Sequence, residues 1–304
     1  MHIYLPIAGL SVNMLVIVLL GGGVGLLSGM FGVGGGFLTT PLLIFYGIPP
    51  TVAVASSATQ ITGASVSGVL AQMRRKGVDF QMGSVMVVGG IVGSGLGAML
   101  FRLLQRLGQI DTVIAITYVV MLGSIGALMA RESISTILAH RRGEKPRRAL
   151  RRHNPLIAAL PMRWRFYRSG LYISPLAPFL LGALTGVLTV ILGVGGGFVM
   201  VPAMIYLLGM AAQVVVGTSL FQILFVTAVT TMIHATTTRA VDIVLAILLL
   251  IGSAAGAQIG SRFAMKLRPE WLRLLLALMV LAVAIRMAAG LTWRPGEIYS
   301  VELG

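Results

Sequence analysis

Phe31–Pro41 reads FGVGGGFLTTP, and Leu192–Pro202 reads LGVGGGFVMVP. Four glycines in five residues end a helix wherever they stand, because glycine takes positive φ freely and adds no side chain to support a helical turn. Both runs interrupt long apolar sequence. Inside a bilayer, backbone outside a helix is tolerated only where protein or a water-filled cavity satisfies its amides and carbonyls. The meaning of the doubled run therefore depends on whether the chain is a membrane protein.

Composition answers that. Hydrophobic residues make up 57% and charged residues 10% of the 304 residues, and the mean hydropathy is +0.96. That is too little polar side chain to cover a soluble globule. Met14–Phe31, Met82–Phe101, Val113–Ala130, Ile243–Gly260 and Leu274–Ile285 are long enough, alone or with their flanks, to cross a hydrocarbon core of about 30 Å as helices. The opening MHIYLPIAGLSVNMLVIVLL lacks a basic n-region and a small-residue cleavage site, so it reads as a retained transmembrane helix. With no cysteine, disulfides, thiolate catalysis and sulfur-ligated metals are excluded. The formal charge of +15 is concentrated, with 11 of the 23 Lys and Arg between Arg131 and Arg168. This is the pattern of a cytoplasmic loop that can touch anionic lipid headgroups, and it argues against a nucleic-acid role.

The glycine run anchors an internal repeat. Pro41 is followed by Ser56, Ser57, Gln60, Asp79 and the ladder Gly89, Gly93, Gly97; Pro202 is followed by Thr218, Ser219, Gln222, Asp242 and Gly252, Gly256, Gly260. The offset between the copies drifts only from 161 to 163. The chain accordingly divides into a repeat over 1–130, a basic cytoplasmic linker over 131–170 and a second repeat over 171–304. Each repeat has five hydrophobic segments: one ending at the glycines, a short one through Pro41 or Pro202, and three more, near 51–73, 81–104 and 111–130 in the first copy.

Charge then sets the parity. If the long and short segments together return the chain to its starting side, Arg74-Arg75-Lys76, the linker and the group Arg262, Lys266, Arg268, Arg273 all fall on one side. A single crossing would put the last group on the wrong side. The expected fold is thus an all-α polytopic membrane protein of two inverted-topology repeats, with glycine-broken helices meeting at the midplane and both termini outside.

A helix N-terminus carries about half a positive charge and free N–H donors. Two such ends beside Gly34, Gly35, Gly36 and Gly195, Gly196, Gly197 would suit a small anion. The dinucleotide fingerprint fails at its third glycine, where Phe37 and Phe198 stand, and no Gly-Lys-Ser/Thr follows for a phosphate loop. Ser56, Thr59, Gln60, Gly63 and Ser67 form one polar stripe, and Gln60, about 15 Å along from Pro50, falls near mid-bilayer. Gln222 reaches the same depth counted from Ala212. The substrate-binding candidates are therefore the six glycines with Ser56, Ser57, Gln60, Thr218, Ser219 and Gln222. Asp79 and Asp242 precede helices and read as N-caps, with gating or coupling as a second role. His234 ends the stripe Thr227, Thr230, Thr231 and reads as an interfacial hydrogen-bonding histidine, with a proton-linked switch as the alternative. Arg102, Arg106 and Arg286 lie near segment ends, where they can snorkel. The four-residue glycine spacings read as helix packing. Metalloprotease and rhomboid-type motifs are absent, so an enzyme is not expected, nor a cofactor or metal.

The paired G-x-G-G-G-F…P motifs, with Ser-Ser-x-x-Gln and Thr-Ser-x-x-Gln after them, resemble the TauE/SafE family of sulfite and organosulfonate transporters, also classed with 4-toluenesulfonate uptake permeases. The resemblance covers both halves, leaving out 131–170 and the termini. It implies a plasma-membrane secondary carrier of sulfur-containing anions such as sulfite or sulfoacetate, often an exporter. A proton- or sodium-coupled uptake permease and an anion channel remain open, as does a homodimer built on small-residue faces.

Overall fold

The computed structural model describes residues 2–31, 36–141, 164–210, 212–264 and 269–292. Gly34, Gly35, most of the basic linker and the last residues of the chain lie outside the described residues.

Strands β1 (His2–Leu5) and β2 (Leu10–Asn13) form a hairpin ahead of α1 (Met14–Phe31). The short α2 (Gly36–Phe45), α3 (Pro50–Arg74), α4 (Phe80–Arg106) and α5 (Ile110–Arg141) complete the first half. The second half repeats the order with the hairpin β3 (Trp164–Phe166) and β4 (Leu171–Ile173), α6 (Leu176–Leu192), the short α7 (Gly197–Tyr206), α8 (Ala212–Ile233), α9 (Ile243–Ala264) and α10 (Pro269–Thr292). A π-helical turn, His234–Thr238, extends α8. Among the described residues five helices are long and apolar enough to cross a bilayer, in α4, α5, α8, α9 and α10. The molecule is a multi-pass, predominantly helical membrane protein.

The opening segment corrects the expectation of a helix from the first residue. Pro6 has no N–H to give a helical ladder, and Gly9 takes φ 67°, so residues 2–13 turn back as a hairpin. Asn13 Oδ1 then accepts from the Leu15 N–H at 3.0 Å as the helix begins. Helix α5 also runs on to Arg141, into the basic stretch.

The two halves share backbone detail. Left-handed residues recur at the sequence offset, Gly9 with Gly170, Gly47 with Gly209, and, in side-chain-bearing residues, Lys76 (φ 54°) with Arg239 (φ 50°). A non-glycine in that region is uncommon, so its recurrence marks the same chain reversal after α3 and after the π turn.

Glycine seams fix how the helices pair. Gly21, Gly25 and Gly29 of α1 face Leu249, Ser253 and Ala257 of α9 in ascending order, so these helices run in the same direction. Gly89, Gly93 and Gly97 of α4 likewise face Phe179, Ala183 and Val187 of α6. In contrast α3 and α8 run antiparallel, with Thr59 against Thr231 and Thr62 against Thr227. At the seams the glycine Cα atoms lie against backbone, which is the close approach that small residues allow between helices in lipid.

Each hairpin closes one end of the molecule. Leu5 and Val12 pack with Val52, Ala55 and Leu245; Phe166 and Ile173 pack with Met82, Met86 and Val215. A Cβ on Gly93 would overlap the Ala183 carbonyl oxygen, whereas Gly95, two residues on, meets nothing within 4 Å. Gly93→Val is therefore expected to lower the thermal midpoint of the purified protein by about 5 °C or more. Gly95→Ala is expected to leave it unchanged or slightly raised. Equal midpoints for the two would show that the seam is not close-packed.

Candidate functional site

At the second break α6 ends on Gly193 in the left-handed conformation, whose N–H returns to the Thr189 carbonyl at 2.8 Å. Gly195 (φ 70°) and Gly196 (φ 73°) carry the chain into α7. Two of the carbonyls that end α6 are met by side chains. Tyr118 Oη donates to the Leu192 carbonyl, and His234 Nε2, facing the Val190 carbonyl at 3.0 Å, donates to it. The amide end differs, because Gly196, the N-cap of α7, makes no side-chain capping bond. The Gly196 carbonyl accepts from the Val199 and Met200 N–H at 3.1 and 2.8 Å, so the amides of α7 without a partner in their own helix are those of Gly197 and Phe198.

The two breaks meet. Phe37 and Phe198, one residue after each glycine run, stack with centroids 4.4 Å apart at 15°. A Cβ on Gly36 would stand 2.9 Å from the Val194 carbonyl oxygen. One on Gly195 would sit 3.1 Å from Ile61 and 3.2 Å from both Ile223 and Thr227, so the second break abuts the two polar helices α3 and α8. These helices join through hydroxyls, Thr62 to Thr227 at 2.9 Å and Thr59 to Thr231 at 3.3 Å.

Both glutamines are buried and reach glycine seams. Gln60 Nε2 donates to Ser253 Oγ at 2.8 Å, and Gln222 Nε2 donates to Thr185 Oγ1 at 3.3 Å. Each receiving hydroxyl already donates to a carbonyl of its own helix, Ser253 to Leu250 and Thr185 to Leu181 and Gly182. With its single proton engaged, the hydroxyl can only accept, which fixes the orientation of both amides. Both Oε1 atoms are buried without a protein partner, as are Ser57 Oγ and Thr230 Oγ1. Buried polar atoms left this way are unusual and call for a ligand or water. Gly196 lies beside Thr185, 2.9 Å from its Cβ to an added methyl, so Gln222, Thr185 and the uncapped start of α7 form one cluster.

The remaining candidates are engaged with backbone. Ser56 Oγ accepts from the Asp242 N–H at 3.1 Å and Thr218 Oγ1 from the Asp79 N–H at 3.0 Å, a matched pair across the halves. Each hydroxyl keeps its own proton to donate. Ser219 Oγ donates to the Val216 carbonyl one turn back. Asp79 and Asp242 are N-caps, accepting from Met82 and Leu245 N–H at 3.1 Å. Their second oxygens cross to the other half. Asp79 Oδ2 accepts from the Ser169 N–H and hydroxyl in the β3–β4 turn, and Asp242 Oδ2 from the Ile7 N–H in the β1–β2 turn. Besides Val190, His234 contacts Thr238 Oγ1 at 3.2 Å through Nδ1 and Phe101 edge-on.

Residues the sequence reading passed over are Thr185, Ser253 and Tyr118. Thr185 and Ser253 lie next to the glycines of their helices, Gly186 and Gly252, on the face turned to the neighbouring helix. That position was the available signal. Tyr118 is a lone phenol in an apolar helix and carries none.

Residues 17–287 match the family described as "Sulfite exporter TauE/SafE". The chain belongs to the TauE/SafE family. It is 28% identical over 271 residues to the probable membrane transporter protein YjnA of Bacillus subtilis, covering 89% of this chain and 98% of that one. It is 25% identical over 290 residues to the probable membrane transporter protein YunE of the same organism, covering 90% and 97%. A probable membrane transporter protein of Xylella fastidiosa strain 9a5c is 42% identical over 77 residues, 25% of this chain and 30% of that one. No solved structure matches the chain significantly. As a TauE/SafE member the protein is a membrane transporter and not an enzyme.

The cross-half carboxylate bonds set an expectation. In a double-mutant cycle, Asp79→Asn and Ser169→Ala should each destabilise the protein, with a coupling energy of about 1 kcal/mol or more because they share one buried carboxylate contact. Additive losses in a denaturation series would show that the Ser169 contact contributes nothing.

Proposed function

We propose that this transporter carries small sulfur-containing oxyanions, such as sulfite, sulfoacetate and related organosulfonates, out of the cell across the plasma membrane by alternating access. The observation that carries the anion reading is the unequal capping of the second break. Tyr118 and His234 satisfy its carbonyl end, while its amide end has no side-chain cap. A helix N-terminus without a side-chain cap favours negative charge. The family description supplies the sulfur chemistry.

In this reading the anion is held by the amides of the two glycine runs, by the uncommitted N–H of Gln60 and Gln222, and by the hydroxyls of Ser56, Ser57 and Thr218, with Ser219 joining only when its proton leaves the Val216 carbonyl. The two halves are inverted about an axis in the membrane plane. The antiparallel α3 and α8, which are counterparts in the two halves, support this arrangement because such an axis requires each helix to oppose its own counterpart. The basic linker then lies in the cytoplasm against anionic lipid. A membrane potential negative inside favours expulsion by about 2.3 kcal/mol per charge per 100 mV, so export needs no coupling ion.

Flux of labelled sulfite and of methanesulfonate through proteoliposomes at imposed potentials tests this. Wild type should give saturable, potential-sensitive flux, and Gln60→Ala and Gln222→Ala should each lower it about tenfold or more through lost hydrogen bonds to a charged ligand. Normal flux in both variants, or no flux of either anion from folded wild type, would overturn the reading.

A further inference from the structure

Arg102 and Arg106 are four residues apart on α4, on one face near its C-terminal end. Together with Gln105, Thr236 and Thr237 they line an open cavity of about 460 Å³. No carboxylate is among these lining residues. Arg102 Nη2 donates to Thr237 Oγ1 at 2.8 Å, which ties this wall to the π turn. Snorkelling explains why each arginine reaches water. It does not explain why two cations converge on one recess whose remaining lining is amide and hydroxyl.

We infer that this recess is a second anion site, a vestibule that takes a small oxyanion on the face of the membrane opposite the Arg74-Arg75-Lys76 turn. Arg102 is 22 residues along from Phe80, about 33 Å at 1.5 Å per residue, and so lies across the bilayer from the turn that precedes α4. The volume falls within the range of small-ligand pockets, and paired guanidinium groups suit a sulfonate or sulfite head; of the two hydroxyls Thr237 accepts from Arg102 and keeps its proton, while Thr236 donates to the Met232 carbonyl at 2.7 Å. The recess is also wired to the break. Phe101, adjacent to Arg102, packs edge-on to His234 with centroids 5.0 Å apart, and His234 holds the Val190 carbonyl three residues before Gly193. A π-helical turn at this place fits the tendency of such turns to occur at functional sites. On the exporter reading, from which the choice of ligand class follows, the vestibule receives the anion after it leaves the central site.

The absence of cysteine makes a direct test available. Gln105→Cys in the full chain, held in nanodiscs, is labelled with a hydrophilic maleimide in the presence of methanesulfonate or of gluconate at equal ionic strength. Methanesulfonate should slow labelling about threefold or more and saturate, as expected once its concentration passes about twice the Kd. Thr236→Cys, on the facing wall, should behave the same way. Protection should vanish in Arg102→Gln/Arg106→Gln and survive in part in Arg102→Lys/Arg106→Lys, which keeps the charge if the first pair does not fold. Protection should persist in Gln60→Ala, so a failed flux assay and a failed vestibule give different results. Labelling indifferent to methanesulfonate, protection surviving the glutamine pair, or protection lost in Gln60→Ala would overturn the inference.

Discussion

A helix cannot stop inside lipid unless something other than lipid meets the backbone groups it exposes. At the second glycine run that constraint is met unevenly. Gly193 closes one carbonyl of α6, Tyr118 from α5 reaches another and His234 from the end of α8 a third. Two separate elements thus converge on the carbonyl end of a single break. The amide end, built from left-handed glycines, receives no side chain. Removing any Cβ from this segment lets α7 start against α3 and α8, since a methyl at Gly195 would already press on Ile61, Ile223 and Thr227. The density of glycine follows from crowding around the break as much as from the φ values it requires.

The second organising feature is the exchange of anchors between halves. The cap carboxylate of α4 holds the hairpin that opens the second half, and that of α9 holds the hairpin that opens the first. The backbone N–H of each aspartate is bonded in turn to a hydroxyl of the opposite half, Thr218 or Ser56. Neither half contains a complete set of its own buried contacts. The hairpins therefore act as clasps at the two ends, while α3 and α8 meet in the middle through threonines.

Much of this was legible in the sequence. The apolar runs, the duplicated glycines and the offset of 161 to 163 give the membrane class, the segment order and the correspondence of the halves. The aspartates read as caps because each stands directly before an apolar helix. The hairpins were not legible: the strands of the first are apolar enough to merge with the helix that follows, broken only at Pro6 and Gly9, and the second begins among the arginines of the basic linker. Nor was the engagement of Ser56 and Thr218, whose partners are backbone N–H groups 186 and 139 residues away. Helical spacing tells which residues share a face; it does not tell which of them the neighbouring helix has already claimed.

The glutamine anchors show why the internal repeat could not reveal the site completely. By the offset between halves, 163 here and 161 in the first helices, Ser253 corresponds to Gly90 and Thr185 to Val24. The hydroxyls that fix Gln60 and Gln222 therefore have no hydroxyl counterpart in the first half. The geometry is nevertheless equivalent. Gln60 reaches the α1/α9 seam, where Ser253 faces Gly25, and Gln222 reaches the α4/α6 seam, where a methyl on Gly90 would stand 3.2 Å from its Nε2. At both seams the hydroxyl that receives the glutamine belongs to the second half. What the duplicated architecture requires is an acceptor at each seam. Either wall can supply it, provided the facing wall is small enough to let it through, so the requirement is met in space by residues that do not align in sequence.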